Sequence, residues 1–207
     1  NRTGWTGVWS GVEVTSEEYF DIQLSVDHGS VAGGYGGPMA RPLAFDPIEE
    51  AGRQWVAHGW GQVSAMTAAT SIMRAQQIVL ARVDEALQPW SLSFARYEVL
   101  VLLHVSRRGE LPLGKMGERL MLHQASITNL VDRLESAGLV ARVPHPTDRR
   151  TTLARLTPAG SEVVLAATEA VEAVDVGVGE LSTQDQRELQ RILTLVRAGA
   201  GDFAQPT

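Results

Sequence analysis

Two short clusters of side chains in this sequence carry hydrogen-bonding and ionic chemistry, and neither is arranged for covalent catalysis. The first, at residues 124–133, contains Gln124, Ala125, Ser126, Thr128, Asn129 and Arg133. On a helix, at about 100° per residue, Ala125, Thr128, Asn129, Asp132 and Ser136 share the side opposite Ile127 and Leu134, with Ser126 and Arg133 on its flank. Such a face offers short donors, acceptors and methyl groups plus one long cation. A helix entering the major groove of duplex DNA needs this, because bulky chains would hold it away from the base edges. An ordinary solvated face has a similar composition, so the helix alone does not decide. The second cluster decides it. Asp148, Arg149 and Arg150 form a basic turn shortly beyond Gly138, where cations can meet phosphate.

The flanking pattern supplies elements that could position both clusters. Leu113, Met116 and Leu120 recur at helical spacing, and residues 121–124 separate that short helix from a second one. In the second, Ile127, Leu130, Val131 and Leu134 fall at i, i+3, i+4 and i+7, one buried stripe. Gly138 stops it, as expected just beyond a helix end. Residues 139–143 and 151–156 are β-compatible runs joined by the polar, basic segment 145–150. Helix, tight turn, helix and a two-stranded hairpin with a basic tip is the layout of a winged helix-turn-helix.

These residues resemble the MarR-type winged-helix transcriptional regulators. The match runs through the segment 126–135, then Gly138-Leu139-Val140, Asp148-Arg149-Arg150 and Leu156-Thr157-Pro158-Ala159-Gly160, in order and spacing, within roughly residues 62–199. Two positions depart from the pattern. His123-Gln124 stands where a small N-capping residue is more usual, and Gly117 replaces the usual Ala inside the first helix, at a cost of about 0.5–1 kcal/mol. The resemblance implies that Arg150, oriented by Asp148, enters a minor groove while Arg149 meets phosphate; a held arginine suits the negative potential of a narrow groove. It further implies a homodimer on a pseudo-palindromic site of double-stranded DNA, and a small aromatic or carboxylate effector bound between the dimerisation helices and the winged domain. Trp55, His58, Trp60, Trp90, Tyr97 and His104 lie in the corresponding elements and are the candidates for such a pocket.

The net charge of −6 divides unevenly. From Arg107 to Arg155 there are nine basic and five acidic residues, against nine and nineteen elsewhere. Positive charge is therefore concentrated on the segment proposed to face phosphate. There are no cysteines, which excludes disulfides, thiolate metal sites and cysteine-based peroxide sensing. No apolar run reaches the roughly 18 residues of a membrane span, and no signal peptide is evident, so a cytoplasmic location is expected.

The fold class expected is mainly α with a small β wing: a winged helix-turn-helix domain at 89–157, N-terminal dimerisation helices at 39–88, C-terminal dimerisation helices at 158–199 and a tail at 200–207. Residues 1–38, with eight glycines, read as a leader outside the native fold. Gly36-Gly37-Pro38 can be encoded by a purine-rich ribosome-binding sequence, which would make Met39 the native start. Asp46 and Pro47 can open a helix. A long helix follows at about 62–87, whose first half carries no charge up to Met73 and so suits contact on more than one side. Ser93 suits an N-cap, as do Thr157, followed by Pro158, and Ser182. The final helix carries Leu189, Ile192, Leu193 and Val196 on one stripe.

The five histidines show no paired metal spacing, and no nucleophile elbow, phosphate loop or dinucleotide fingerprint appears. An enzyme is not indicated, and neither a cofactor nor a metal is expected. The function expected is a sequence-specific DNA-binding regulator, a repressor whose affinity an effector lowers. The alternative is a winged-helix protein-interaction module without DNA binding.

Overall fold

The computed structural model describes residues 6–9, 12–15, 43–148 and 151–204. The chain divides into two units, Asn1–Arg41 and Pro42–Thr207. In the first, β1 (Thr6–Trp9) and β2 (Val12–Thr15) form an antiparallel hairpin with Trp9 opposite Val12. Most of the leader expected at 1–38 lies outside the described residues.

The second unit opens with α1 (Pro47–Ala57), capped as the sequence suggests: Asp46 Oδ1 accepts from the backbone N–H of Ile48 at 2.8 Å and of Glu49 at 3.4 Å. Gly52 lets α1 approach α2 (Val63–Leu87) closely, for a Cβ there would lie 3.0 Å from Thr67 Cγ2. In the uncharged half of α2, Val63, Met66, Thr67 and Thr70 are half-buried, whereas Ser64, Ala65, Ala68, Ala69 and Ser71 are exposed. Within one chain, that half is covered on one side.

A 3-10 turn, Gln88–Trp90, leads into α3 (Phe94–His104). Ser93 occupies the cap position, but its hydroxyl makes no cap bond. Asp84 of α2 supplies the bond instead, its Oδ1 accepting from Phe94 N–H at 2.7 Å. A carboxylate is the stronger acceptor at the positive end of a helix, and this one also pins α2 to α3.

Next come β3 (Glu110–Pro112), α4 (Leu113–Leu120), α5 (Gln124–Ser136), β4 (Val140–Pro144) and β5 (Thr152–Leu156). One expectation changes: Gln124 is the first residue of α5 rather than the last of the turn. The wing sheet has three strands, in the order β3-β5-β4, all antiparallel, with the short β3 at an edge. Glu110, Leu111 and Pro112 pair with Arg155, Ala154 and Leu153, which covers an edge of β5 that a bare hairpin would leave unpaired.

The core joins these pieces. Leu87 of α2, Val99, Leu100 and Leu103 of α3, Met116 of α4, and Ile127 and Val131 of α5 all have zero exposure, as does Ala154 of β5. Each such aliphatic chain contributes about 1.5–3 kcal/mol by leaving water.

α6 (Pro158–Ala173) starts as expected, with Thr157 Oγ1 accepting from Gly160 N–H at 3.0 Å. It stops at Ala173, just before Asp175, Val176 and Gly177, which all take positive φ. Arg82 of α2 holds that turn through the Gly177 carbonyl at 2.8 Å and through Glu180. α7 (Thr183–Gly199) is capped by Ser182, which accepts from Asp185 N–H at 3.2 Å, and none of its residues is buried within the chain.

Candidate nucleic-acid interface

Helix α5 is set by its buried stripe. Ile127, Val131 and Leu134 enter the core, so helical geometry turns Gln124, Ala125, Ser126, Thr128, Asn129, Asp132, Arg133 and Ser136 to solvent. All six helix candidates are exposed, Gln124 because it is the first residue of the helix and the others through helical phase. The helix ends at Gly138 (φ +73°), where Leu139 N–H donates to the Leu134 carbonyl at 2.9 Å, a Schellman closure. At the turn before α5, Met121 takes a left-handed conformation and Leu122 N–H donates to the Gly117 carbonyl at 3.0 Å. A Cβ on residue 117 would sit 2.9 Å from the Leu122 carbonyl oxygen. The departure from alanine at this position therefore has a local cause: the turn folds back onto the helix.

The exposed face has a defined donor and acceptor pattern. Thr128 and Ser136 donate their hydroxyl hydrogens to the Gln124 and Asp132 carbonyls at 3.0 and 2.8 Å, which leaves hydroxyl lone pairs outward. Arg133 Nε donates to Asn129 Oδ1 at 3.0 Å. Asp132 Oδ1 pairs with Arg142 Nη2 at 2.6 Å.

Arg142, which the sequence reading did not single out, ties this helix to the wing. It lies on β4, next to the helix, and is about three-quarters buried, with side-chain exposure of 26%. Its guanidinium binds Asp132 and Glu135, and its own backbone N–H donates to Glu135 Oε1 at 2.9 Å. That N–H, then the guanidinium, hold the Glu135 carboxyl below the usual carboxylate range. The available signal was strand alternation: Val140 and Arg142 share a face, and Val140 is buried beside the core.

Internal pairing also explains the local field. Glu110 pairs with Arg155, Glu118 with Lys115, and Asp132 and Glu135 with Arg142. Among the described residues, exposed Arg107, Arg108 and Arg119 have no carboxylate partner and remain for phosphate.

The wing tip is closed by His145 and Thr151. His145 N–H donates to the Thr151 carbonyl at 3.2 Å, and His145 Nδ1 accepts from the N–H groups of Thr147 and Asp148 at 3.3 and 3.1 Å. Asp148 Oδ2 accepts from the Thr151 hydroxyl at 2.6 Å. Arg149 and Arg150, both expected to touch DNA, lie outside the described residues.

The aromatic candidates do not converge on one pocket. Trp55 and Trp60 meet edge to face at 4.8 Å, His58 lies 5.4 Å from Trp60, and Trp55 Nε1 donates to the Gly61 carbonyl at 2.7 Å. Tyr97 is buried in the core, with its hydroxyl 3.0 Å from that of Thr168. Trp90 packs on the core and His104 is exposed at the end of α3. The groove between α1 and α2 is lined instead by Asp46, Ile48, Arg53, Val56, Val63 and Thr67, among others. Among the described residues, no His, Asp or Glu side chains gather as metal ligands, and no helix is long and apolar enough to cross a membrane.

A family model described as the MarR family matches residues 92–152, the stretch from α3 to the second wing strand. The chain is 34% identical over 89 residues to the HTH-type transcriptional regulator MhqR of Bacillus subtilis, covering 43% of this chain and 60% of that protein's length. Among solved structures, Sco5413, a MarR family transcriptional regulator from Streptomyces coelicolor, is 51% identical with a TM-score of 0.64, over 70% of this chain and 100% of that one. Sco3205, a MarR family regulator from the same organism solved in complex with DNA, is 28% identical with a TM-score of 0.62, over 72% of this chain and 92% of that one. With a winged helix-turn-helix of this layout, and with a relative this similar along its whole length, the chain belongs to the MarR family of transcriptional regulators.

Proposed function

We propose that the protein is a homodimeric, sequence-specific DNA-binding repressor whose affinity for its site falls when a small aromatic or carboxylate effector binds. The observation that carries the DNA-binding reading is the exposed polar side of α5, beside which the helix and strand carboxylates are paired internally while Arg107, Arg108 and Arg119 carry no carboxylate partner among the described residues. Gln124, Ala125, Ser126, Thr128, Asn129 and Arg133 would meet base edges or adjacent phosphates, and Asp148, Arg149 and Arg150 would serve from the wing. The DNA complex of Sco3205 supports the same use of this fold. The apolar side of α7 supports a dimer. Leu189, Ile192, Leu195 and Val196 are 40–63% exposed on a helix with no buried residue, which leaves an apolar stripe in need of a cover. The Trp55–His58–Trp60 cluster is the part of the aromatic set that supports an effector contact.

The deciding measurement is a mobility-shift titration against fragments of the gene's own upstream region at several salt concentrations. The expected result is binding to one fragment that weakens by roughly 0.9 log unit per log unit of salt for each phosphate neutralised. Absence of salt-sensitive binding to any duplex would leave the protein-interaction module as the better reading. A panel of aromatic carboxylates added to the bound complex should include compounds that release the DNA.

A further inference from the structure

We propose that Asn129 and Arg133 act together as a donor-only reader, and that the base they select in each half-site is guanine. The proposal rests on the DNA-binding reading above. An asparagine alone has an even-handed side chain, one acceptor oxygen and one donor amide, which is why it suits the N6/N7 edge of adenine. Here that balance is broken. Asn129 Oδ1 accepts the Nε–H of Arg133, one helical turn on, at 3.0 Å. Chemistry forces the orientation of the amide: a guanidinium has only donors, so the oxygen must be the atom facing it. The amide NH2 of Asn129 is then the group left for the groove, beside the terminal N–H groups of Arg133, which hold no other bond among the described residues.

Both side chains are exposed and belong to the side of α5 turned away from the core. Among the described residues, no acceptor is bonded to the Asn129 amide or to the terminal N–H groups of Arg133. The neighbouring Asp132 carboxylate pairs through Oδ1 with Arg142 at 2.6 Å rather than with Arg133. Thr128 and Ser136 donate their hydroxyl hydrogens to their own helix and, with Ser126 and Gln124, keep acceptor lone pairs elsewhere on the face; the donor-only character belongs to the Asn129–Arg133 pair. A cluster of donors matches an edge made only of acceptors. In the major groove, guanine presents O6 and N7, both acceptors, whereas adenine sets its N6 amino donor beside N7. Against adenine, one donor would meet another.

The test is selection of binding sites from random duplex DNA by the full chain, repeated with Asn129→Ala, Arg133→Ala and the double variant. The expected consensus has a G·C pair at one position of each half-site, and both single variants relax that same position. The discrimination lost there should be about 5- to 150-fold. The double variant should lose little more than either single one, because the two side chains work as a unit. A second measurement uses the unaltered protein: replacing that guanine with 7-deazaguanine, which lacks N7, should weaken binding by the wild type and leave the double variant unaffected. An A·T pair at the relaxed position, relaxation of different positions by the two variants, or no response to 7-deazaguanine would overturn the proposal. So would an Arg133→Ala protein that binds all sequences more weakly with unchanged preference, the behaviour of a phosphate contact. If the wild type selects no sequence at all, the DNA-reading role itself fails, and this assignment with it.

Discussion

Removing the Arg142 guanidinium would leave two carboxylates, Asp132 and Glu135, without their cation on the helix proposed to approach phosphate. The effect on binding should exceed that of deleting an open surface cation, because it uncovers two negative charges as well as removing a positive one. Arg142→Ala is expected to weaken DNA binding by at least about tenfold at low salt, more than Arg107→Ala. It should also lower the melting temperature by about 2–4 °C, the scale of roughly 1 kcal/mol in a chain this long. The pH dependence follows from Glu135. Its carboxyl is held below the usual range, so the joint's contribution is complete above the unfolded glutamate value of about 4.3 and is lost as pH falls through the lower folded value. Melting curves of wild type and Arg142→Ala should therefore converge towards pH 3; a constant gap would show that the carboxylates are not what Arg142 stabilises.

Among the elements, the tightest junction is where α6 begins. Thr157 donates to the Gly138 and Leu139 carbonyls while accepting from Gly160, and a Cβ on Gly160 would lie 2.1 Å from the Leu139 oxygen. Gly160→Ala is expected to cost about 3 kcal/mol or to prevent folding. Gly114→Ala, in the open part of α4 with nothing within 4 Å, should gain about 0.5–1 kcal/mol from helix propensity. Thermal denaturation of the two variants checks both signs. Local patterns announced much of this level. The i, i+4, i+7 spacing of Ile127, Val131 and Leu134 was legible because a buried stripe repeats every turn, and Thr157-Pro158 was legible because a cap acts within three residues. What escaped depends on distance along the chain. The Asp84 cap on Phe94 comes from another helix, the β3–β5 pairing spans more than forty residues, and Arg142 meets its carboxylates across a helix–strand boundary. Gly117 was misjudged for the same reason: its cost as a helix residue is visible in sequence, whereas its nearness to the Leu122 oxygen is a property of the folded turn.

For the whole molecule, the uncovered apolar surface is the governing feature. Exposed Ile72 and Met73 on α2 and the α7 stripe are more than a lone chain would keep in water. Deleting residues 182–207 should yield aggregates or monomers by light scattering; an intact soluble dimer would remove α7 from the interface. Arg142 has a consequence at this scale too. By tying β4 to α5 it makes reading helix and wing a single stiff head, with little freedom for one to swing against the other. In the proposed dimer, two such heads form a gauge with fixed jaws, set for sites about 34–36 Å apart. An effector of the kind proposed would then act on the gap between the jaws, and control of transcription would be a matter of calibration rather than of contact.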